Sequence, residues 1–296
     1  MIKKNFYVGG IVRKTGLYVN GIMNLNAAVA VKPWSGRIIY RRQGCRLCVK
    51  EPLMEKPTGS EKRIKTAFIL GAGLGTRLMP LTRECPKPLL PLRGRPLITY
   101  AMDHLRQAGI ERFIVNTHYR AEVYQQVFPG HAWRGIPIIF RHEPDLLDTG
   151  GGLKNIEELL DDGETLMVYN GDILTDIPLA ELVDHHFRAG KEATLALRSN
   201  GNPRNVNLDA AGAICDFRQV LGNPGVRACL FSGIYIIEKS LLKRMKRGTK
   251  QDIIPVLIDM IREEPGAVAG IVIDAGQWND IGTPESYDKL NNNEVL

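Results

Sequence analysis

A glycine-rich turn directly after a short apolar run is the feature that most constrains how this chain can fold. The run Thr66–Leu70 has the character of a strand that is buried on both faces, and Gly71, Gly73 and Gly75 follow it at once. Glycine lets the backbone turn tightly and approach a ligand closely, so that backbone N–H groups can point at phosphate oxygens. The stretch therefore predicts a polyphosphate site at the carboxyl end of a first strand.

Two cations, Arg77 and Lys87, follow this turn within a few residues. A guanidinium group grips phosphate in a bidentate fork, and an ammonium group acts as a point charge. The dinucleotide-binding pattern G-x-G-x-x-G is incomplete because Thr76 occupies its third glycine position, and the lysine of a P-loop is absent at the required spacing. A bare glycine turn can equally be structural, and the cations can equally be surface residues. The longer motif around them is needed to distinguish these alternatives from a phosphate site.

The longer motif, G-x-G-T-R-x-x-P-L-T followed by P-K-P, resembles the signature of the sugar-1-phosphate nucleotidyltransferases, from about residue 65 to the carboxyl terminus. The resemblance implies transfer of a nucleotidyl group from a nucleoside triphosphate to a sugar 1-phosphate, with Mg²⁺ as cofactor. It also implies that Arg77 and Lys87 are the catalytic cations, on the leaving pyrophosphate and between the two substrates respectively. The nucleotide-binding residues implied in the turn are Leu70, Gly71, Ala72, Gly73, Gly75 and Thr76.

Apolar runs and amphipathic stretches alternate along most of the chain after the turn. Strands are predicted at 66–70, 112–117, 136–140, 165–169, 193–197, 230–237 and 268–273, with a hairpin at 206–217. Helices are predicted at 96–108, 121–128, 153–160, 179–188, 241–246, 253–262 and from Pro284 onward. This rhythm predicts an α/β protein with a mainly parallel sheet and helices on both faces. The resemblance implies the corresponding Rossmann-like three-layer α/β/α fold of GT-A-like nucleotidyltransferases.

Two aspartates are the candidate metal ligands. Asp172 follows a glycine at the end of a predicted strand, and Asp280 lies between Trp278-Asn279 and Ile281. An aspartate at a loop start is often only a helix cap. Two separated carboxylates nevertheless suit Mg²⁺, which takes one or two carboxylates together with phosphate oxygens and water. The resemblance assigns the metal pair to these two residues.

The resemblance assigns two further segments of the site. Asp148, Thr149, Gly150 and Gly151 would contact the nucleobase, because glycines that open a helix can expose N–H groups at its positive end. The alternative is a flexible turn with an aspartate cap. The sugar phosphate would lie against Asn170, Ser232 and Gly233. Many members also carry a lysine in a Glu-Lys-Pro segment that is missing from residues 217–224, where Arg218 is a candidate substitute.

Substrate identity stays open at this point. The LDTGGG loop and the W-x-D-I-G-T-P ending resemble N-acetylmuramate-1-phosphate uridylyltransferases most, which favours UTP with an N-acetylmuramate or hexosamine 1-phosphate. The alternative within the family is GTP with mannose or heptose 1-phosphate. The alternative of another class is a regulatory module that binds nucleotide sugars without catalysis. A dehydrogenase is disfavoured by the missing third glycine.

Charge and cysteine usage limit the partners. Residues 1–65 contain 14 Lys/Arg and 3 Asp/Glu, whereas the remainder contains 25 and 29, so a nucleic-acid partner is not expected for the body of the chain. No apolar run approaches the ~20 residues that span a membrane, so no membrane partner is expected. Five scattered cysteines favour a reducing, cytoplasmic location, and the lone pair Cys45 and Cys48 is weak support for zinc. A monomer or a small homo-oligomer is expected.

The first 62 residues are predicted to be a basic extension that is disordered or loosely packed, preceding a nucleotidyltransferase domain at 63–296. A signal peptide is disfavoured because charged and polar residues, such as Arg13 and Lys14, interrupt its apolar core. Met54 is a candidate for the natural start.

Overall fold

A computed structural model describes residues 63–292 of the chain. Its strands are β1 Thr66–Leu70, β2 Pro91–Leu92, β3 Arg95–Pro96, β4 Arg112–Thr117, β5 Ala132–Trp133, β6 Ile136–His142, β7 Thr165–Asn170, β8 Ile173–Thr175, β9 Ala193–Arg198, β10 Val206–Leu208, β11 Ile214–Phe217, β12 Arg227–Glu238, β13 Val268–Val272 and β14 Trp278–Asp280. Its α-helices are α1 Ile98–Gln107, α2 Ala121–Val127, α3 Asp148–Asn155, α4 Leu179–Ala189, α5 Ile253–Glu263 and α6 Pro284–Asn292. Short 3₁₀ turns occupy Thr76–Leu78, Lys87–Leu89, Glu157–Leu159 and Lys239–Arg244.

One large sheet runs through the described part of the chain in the order β11-β10-β12-β7-β1-β4-β6-β5, and β9 joins β12 to β13. β1 pairs in parallel with β4 and β7, and β4 pairs in parallel with β6. β12 is antiparallel to β7 and to β9. The glycine-rich turn therefore leaves the sheet at a central position, where the parallel strands end along one edge.

Alternate residues of β1 face opposite layers of core. Phe68 packs into the cluster that contains α3 and α5, whereas Ile69 packs into the cluster that contains α1 and α4. α1 illustrates why these helices form, because its buried side chains recur at helical spacing on one face: Ile98, Ala101, Met102 and Leu105. The three-layer α/β/α architecture and the mainly parallel centre of the sheet are as the sequence predicted.

Several predicted element boundaries are wrong. The helix expected at 153–160 begins at Asp148 and ends at Asn155, because the three glycines that weakened the helical pattern lie inside it. The helix expected at 241–246 is the 3₁₀ turn Lys239–Arg244. Pro96 belongs to β3 rather than to the helix that follows it. Strands of two or three residues, such as β8 and β14, have no periodicity from which they could be predicted.

A third apolar cluster fixes the segments that carry the charged candidates. It consists of Leu78, Leu90, Leu92, Leu97, Leu174, Ile281, Tyr287 and Leu290. Leu78 follows Arg77 directly, and Ile281 follows Asp280 directly, and both apolar side chains are fully buried. Burial of these neighbours holds the backbone of the loop after β1 and of the segment after β14 in fixed positions.

The predictions for residues 1–62, including the cysteine pair and the alternative start, lie outside the described residues, and the domain boundary stays a prediction. Within residues 63–292, Cys85, Cys215 and Cys229 are free thiols. No helix in that same part of the chain combines the length and the apolar character needed to cross a membrane.

Candidate active site

Gly71 is a packing residue at the start of the turn. Its N–H group donates to Oδ1 of Asn116 across 2.7 Å, and its carbonyl oxygen accepts from the Tyr124 hydroxyl across 2.9 Å. A Cβ atom at this position would lie 2.7 Å from the Asn116 carbonyl oxygen, so only glycine fits. The Gly71 N–H group therefore already has a partner within the protein, and the assignment of Gly71 to the nucleotide site stays a prediction. Gly73, in contrast, has open space around it and lines a pocket.

Gly75 begins the 3₁₀ turn that carries Arg77. Gly75 has φ 65°, which an L side chain rarely adopts, and the Thr82 hydroxyl donates to its carbonyl oxygen across 2.9 Å. Arg77 is exposed, and its guanidinium group reaches the segment after β14. A Cβ atom at Gly282 would lie 3.2 Å from Nη1 of Arg77 and 3.2 Å from Oδ2 of Asp280, so both groups converge on this glycine.

Lys87 is mostly buried and forms an ion pair with Asp172, with Nζ lying 2.5 Å from Oδ2. Asp172 is brought there by Gly171, whose N–H group donates to the Leu70 carbonyl oxygen across 3.1 Å. A Cβ atom at Gly171 would lie 2.5 Å from that oxygen. The ends of β1 and β7 thus pack so closely that the acid meets the cation from the loop after β1.

The two-stranded sheet of β8 and β14 brings the second acid to the first. Asp280 lies opposite Ile173, and the Ile281 N–H group donates to the Asp172 carbonyl oxygen across 3.2 Å. The pKa of the Asp280 carboxyl is raised, mainly because burial disfavours its charged form and further because Asp172 adds a like charge. Lys87 and Arg77 oppose that rise in pKa. The four charged candidates therefore share one electrostatic site.

Two neighbouring carboxylates fit a hard divalent cation such as Mg²⁺ that completes its shell with phosphate oxygens and water. A bound cation would relieve the electrostatic repulsion between the carboxylates of Asp172 and Asp280. Within residues 63–292, no group of three His, Cys, Asp or Glu side chains is arranged as a metal site. The protein part of a metal site here would therefore be the pair alone, and substrate would have to supply further ligands.

A pocket of about 280 Å³ opens beside this charged cluster. It is lined by Leu70, Ala72, Gly73, Lys87, Pro88, Asn116, Glu143, Leu146, Asp148, Thr149, Asn170, Asp172 and Lys250. Eight of the residues proposed from the sequence are among these, and they include the predicted nucleobase residues Asp148 and Thr149. The lining does not include the other nine, which are Gly71, Gly75, Thr76, Arg77, Gly150, Gly151, Ser232, Gly233 and Asp280.

The glycines of α3 do not expose their amides as predicted. The N–H groups of Gly150 and Gly151 both donate to the Gln251 carbonyl oxygen, across 2.9 and 3.0 Å. A Cβ atom at Gly151 would lie 2.5 Å from the Thr249 carbonyl oxygen. The physical reason for these glycines is close packing of residues 249–252 on the first turn of the helix.

Ser232 and Gly233 do not line the pocket but pack next to residues that form it. The Ser232 hydroxyl is fully buried and donates to the Ala196 carbonyl oxygen across 2.7 Å. The assignment of this residue to the sugar phosphate stays a prediction. Gly233 has φ 79°, and a Cβ atom there would lie 2.7 Å from Nδ2 of Asn170. The glycine therefore makes room for Asn170, which lines the pocket.

Sequence reasoning missed several residues that line the pocket. Asn116 donates from Nδ2 to Oε1 of Glu143 across 2.8 Å, and Leu147 donates its N–H group to Oε2 across 3.1 Å. Burial raises the pKa of Glu143 despite these two hydrogen bonds. Asn116 and Glu143 both lie at the carboxyl ends of strands, which was a usable signal. Lys250 lies in a connection without any pattern, so no feature of the sequence pointed to it.

Comparison with known sequences bears on the family. A family model described as Nucleotidyl transferase matches residues 66–295, which is more than half of the chain. The chain is 33% identical over 228 residues to the mannose-1-phosphate guanylyltransferase of Mycobacterium tuberculosis, covering 75% of this chain and 62% of that protein. It is 30% identical over 233 residues to the mannose-1-phosphate guanylyltransferase catalytic subunit beta of Drosophila melanogaster, covering 75% and 60%. The chain thus spans about three fifths of the length of these curated relatives.

Solved structures resemble the chain in fold. HddC from Yersinia pseudotuberculosis complexed with GMP-PN aligns with a TM-score of 0.63 at 21% identity, covering 77% of this chain and 98% of that one. A putative glucose-1-phosphate thymidylyltransferase from Bacillus anthracis aligns with a TM-score of 0.65 at 20% identity, covering 77% and 94%. The predicted nucleotidyltransferase type of Rossmann-like fold is therefore confirmed.

Proposed function

Since the chain belongs to the nucleotidyl transferase family, we propose that it transfers a nucleotidyl group from a nucleoside triphosphate to a sugar 1-phosphate. The observation that carries this proposal is the convergence of Lys87, Asp172, Asp280 and Arg77 beside one pocket. Two cations and two acids from distant parts of the chain meet there. They match what a reaction between two polyanions requires.

The chemistry needs positioning more than activation. A phosphate oxygen of the sugar 1-phosphate attacks the α-phosphorus of the triphosphate, and the bond to the bridging oxygen breaks, so that pyrophosphate leaves with the electron pair. The nucleophile is already ionised at neutral pH, so no general base is required. The protein must screen charge repulsion and hold the attacking and leaving oxygens in line.

Each charged residue has a place in this scheme. Lys87 is buried at the pocket wall, where its ammonium group would contact the phosphates of both substrates. Arg77 is exposed beside Gly282, where its guanidinium group would hold the leaving pyrophosphate. Asp172 and Asp280 would hold Mg²⁺, which supplies positive charge to the phosphate oxygens when it is bound.

We propose GTP as the nucleotide and mannose 1-phosphate as the sugar. The relatives described above are mannose-1-phosphate guanylyltransferases. They give no support to the expectation of UTP with an N-acetylmuramate 1-phosphate. Heptose 1-phosphate is a second sugar to test. The reaction would take place in the cytoplasm, where nucleoside triphosphates are made.

The decisive experiment measures pyrophosphate release by the purified full chain with Mg²⁺. GTP, UTP, CTP, ATP and dTTP are each combined with mannose, heptose and N-acetylmuramate 1-phosphates, and each triphosphate is also tested without a sugar phosphate. We expect release that requires a sugar 1-phosphate and is fastest with GTP and mannose 1-phosphate. Nucleotide-sugar binding without release of pyrophosphate in any combination would favour the regulatory module instead.

A further inference from the structure

Part of the pocket wall is formed by two segments that hydrogen-bond to each other. Residues 249–252 lie along the first turn of α3, where the Gln251 N–H group donates to the Leu147 carbonyl oxygen across 3.0 Å. The Gln251 carbonyl oxygen in turn accepts from Gly150 and Gly151. This arrangement holds Lys250 in the pocket wall next to Leu146 and Asp148, which also line it.

Most polar groups in and beside this part of the wall already have hydrogen-bond partners within the protein. The Thr149 hydroxyl donates to Oδ1 of Asp252 across 2.8 Å and accepts from the Ile253 N–H group across 2.9 Å. Asn116 and Glu143 are bound to each other and are buried. These residues have fixed structural partners and little capacity left for a ligand.

Asp148 and Lys250 differ from them. Oδ1 of Asp148 accepts from the Thr149 N–H group across 2.8 Å, within its own turn. Within the described range 63–292, neither Oδ2 of Asp148 nor Nζ of Lys250 has a hydrogen-bond or ion-pair partner. Asp148 also has φ 63°, the left-handed region that side chains other than glycine rarely occupy and that is frequent at functional sites. An anionic acceptor and a cationic donor thus face the same pocket.

A purine with a carbonyl group next to an N–H group is complementary to that pair. Guanine presents O6 and N7 as acceptors and N1–H and N2–H₂ as neighbouring donors, whereas adenine presents a donor amino group in place of O6. An ammonium group suits O6, and a carboxylate suits the two N–H donors together. Uracil presents two carbonyl groups that flank one N–H group at the corresponding edge, so that an acceptor takes the place of the second donor.

We propose that Lys250 is a specificity-determining residue that binds O6 of guanine, while Asp148 accepts from N1–H and N2–H₂. Leu70 and Leu146 also line the pocket and supply apolar surface for the base. The inference rests on the proposed function and deepens it, because it assigns base selection to two named side chains.

The test compares Lys250→Met and Asp148→Asn with the unaltered chain, using kcat/KM for GTP and for two analogues. The 2-aminopurine riboside triphosphate lacks O6 and with it the N1–H donor, and ITP lacks only the 2-amino group. We expect Lys250→Met to lower kcat/KM for GTP about 10- to 100-fold, which is the range of one good base contact. The same substitution should change kcat/KM for the 2-aminopurine nucleotide less than about threefold. We expect Asp148→Asn to lower kcat/KM for GTP more than for ITP.

Lys246→Met is the matched control, because Lys246 is an exposed lysine in the same connection and does not line the pocket. The Lys246→Met variant should have unchanged kcat/KM for GTP and for both analogues. An equal fall for every nucleotide in Lys250→Met would mean that the lysine contacts phosphate, and this result would overturn the proposal. An unchanged preference for GTP would overturn it as well.

Calorimetric binding of GTP and ATP separates this inference from the proposed function. If the chain has no transferase activity but binds GTP in preference to ATP, and Lys250→Met loses that preference, the inference stands and the proposed function fails. If the chain is active and Lys250→Met keeps the preference in both assays, the inference alone fails. Melting temperatures of all variants report whether the fold is intact.

Discussion

The ammonium group of Lys87 lies 2.5 Å from Oδ2 of Asp172. This contact joins the loop after β1 to the end of β7, two segments that are 85 residues apart in the chain. The lysine side chain is only 9% exposed and that of the aspartate is 30% exposed. The pair therefore combines a cation that is held rigidly with an acid that a ligand can still reach.

Replacing Lys87 by methionine should reduce turnover far more than stability. The variant keeps the buried stem but loses the charge at the reacting phosphates, and removal of one such electrostatic contact costs about 10²- to 10³-fold in kcat. Asp172 is partly hydrated, so the loss of its partner leaves no fully buried charge. Steady-state pyrophosphate release and thermal melting are the measurements. Lys289→Met is the control, because that lysine is exposed on α6. Full activity of Lys87→Met would contradict the catalytic assignment.

Neutralising either acid should change the Mg²⁺ requirement. We expect Asp172→Asn and Asp280→Asn to raise the Mg²⁺ concentration for half-maximal rate and to lower the maximal rate by more than about 100-fold, since each removes one of two charged ligands. The melting temperature without Mg²⁺ should be equal or higher for Asp280→Asn, because a like-charge repulsion is relieved. Metal titrations of activity test this, with Asp184→Asn on the exposed side of α4 as control. A wild-type Mg²⁺ dependence in both variants would remove the pair from the metal site.

The centre of the fold was predictable because its strands are continuous apolar runs. β1, β4 and β7 are buried on both faces, and such runs differ clearly from their flanking turns. Asp172 could be proposed for the same reason, since it follows closely on the end of β7. Residues at the ends of parallel strands meet at one edge of the sheet even when they are distant in sequence.

The meeting of Asp172 with Asp280 was not predictable from local pattern. It depends on β8 and β14, which have three residues each and pair across about a hundred residues of chain. The glycines of α3 led to the expectation of exposed N–H groups, because glycine is typical of flexible turns. In the structure these glycines instead allow the backbone of residues 249–252 to approach the helix. Lys250 owes its position to that same packing, so it could be found only from coordinates.

Gly151→Ala tests this packing directly. Its Cβ atom would lie 2.5 Å from the Thr249 carbonyl oxygen, which is backbone and cannot move aside easily. We expect a loss of about 1–3 kcal/mol in the free energy of unfolding, the usual cost of overpacking, and a weaker discrimination between GTP and ATP. Urea unfolding and nucleotide kinetics are the readouts. Gly130→Ala should be neutral, because nothing lies within 4 Å of its Cβ position. Equal stability of the two variants would show that residues 249–252 do not pack tightly on α3.

The stability contributed by Glu143 should depend on pH in a direction that its burial determines. Because burial raises the pKa of this carboxyl in the folded state, the folded protein binds its proton more tightly than the unfolded chain does. The corresponding stabilisation is complete below the ordinary pKa of a glutamate and is lost as pH rises through the raised value. Glu143→Gln cannot titrate, and it leaves one of the donors Asn116 and Leu147 without an acceptor, at a cost of about 1–3 kcal/mol. The difference in unfolding free energy between the unaltered chain and the Glu143→Gln variant should therefore be largest in acid and should shrink towards neutral pH. Urea unfolding across that pH range measures it, and a difference that grows with pH would mean that Glu143 is charged in the folded protein at low pH.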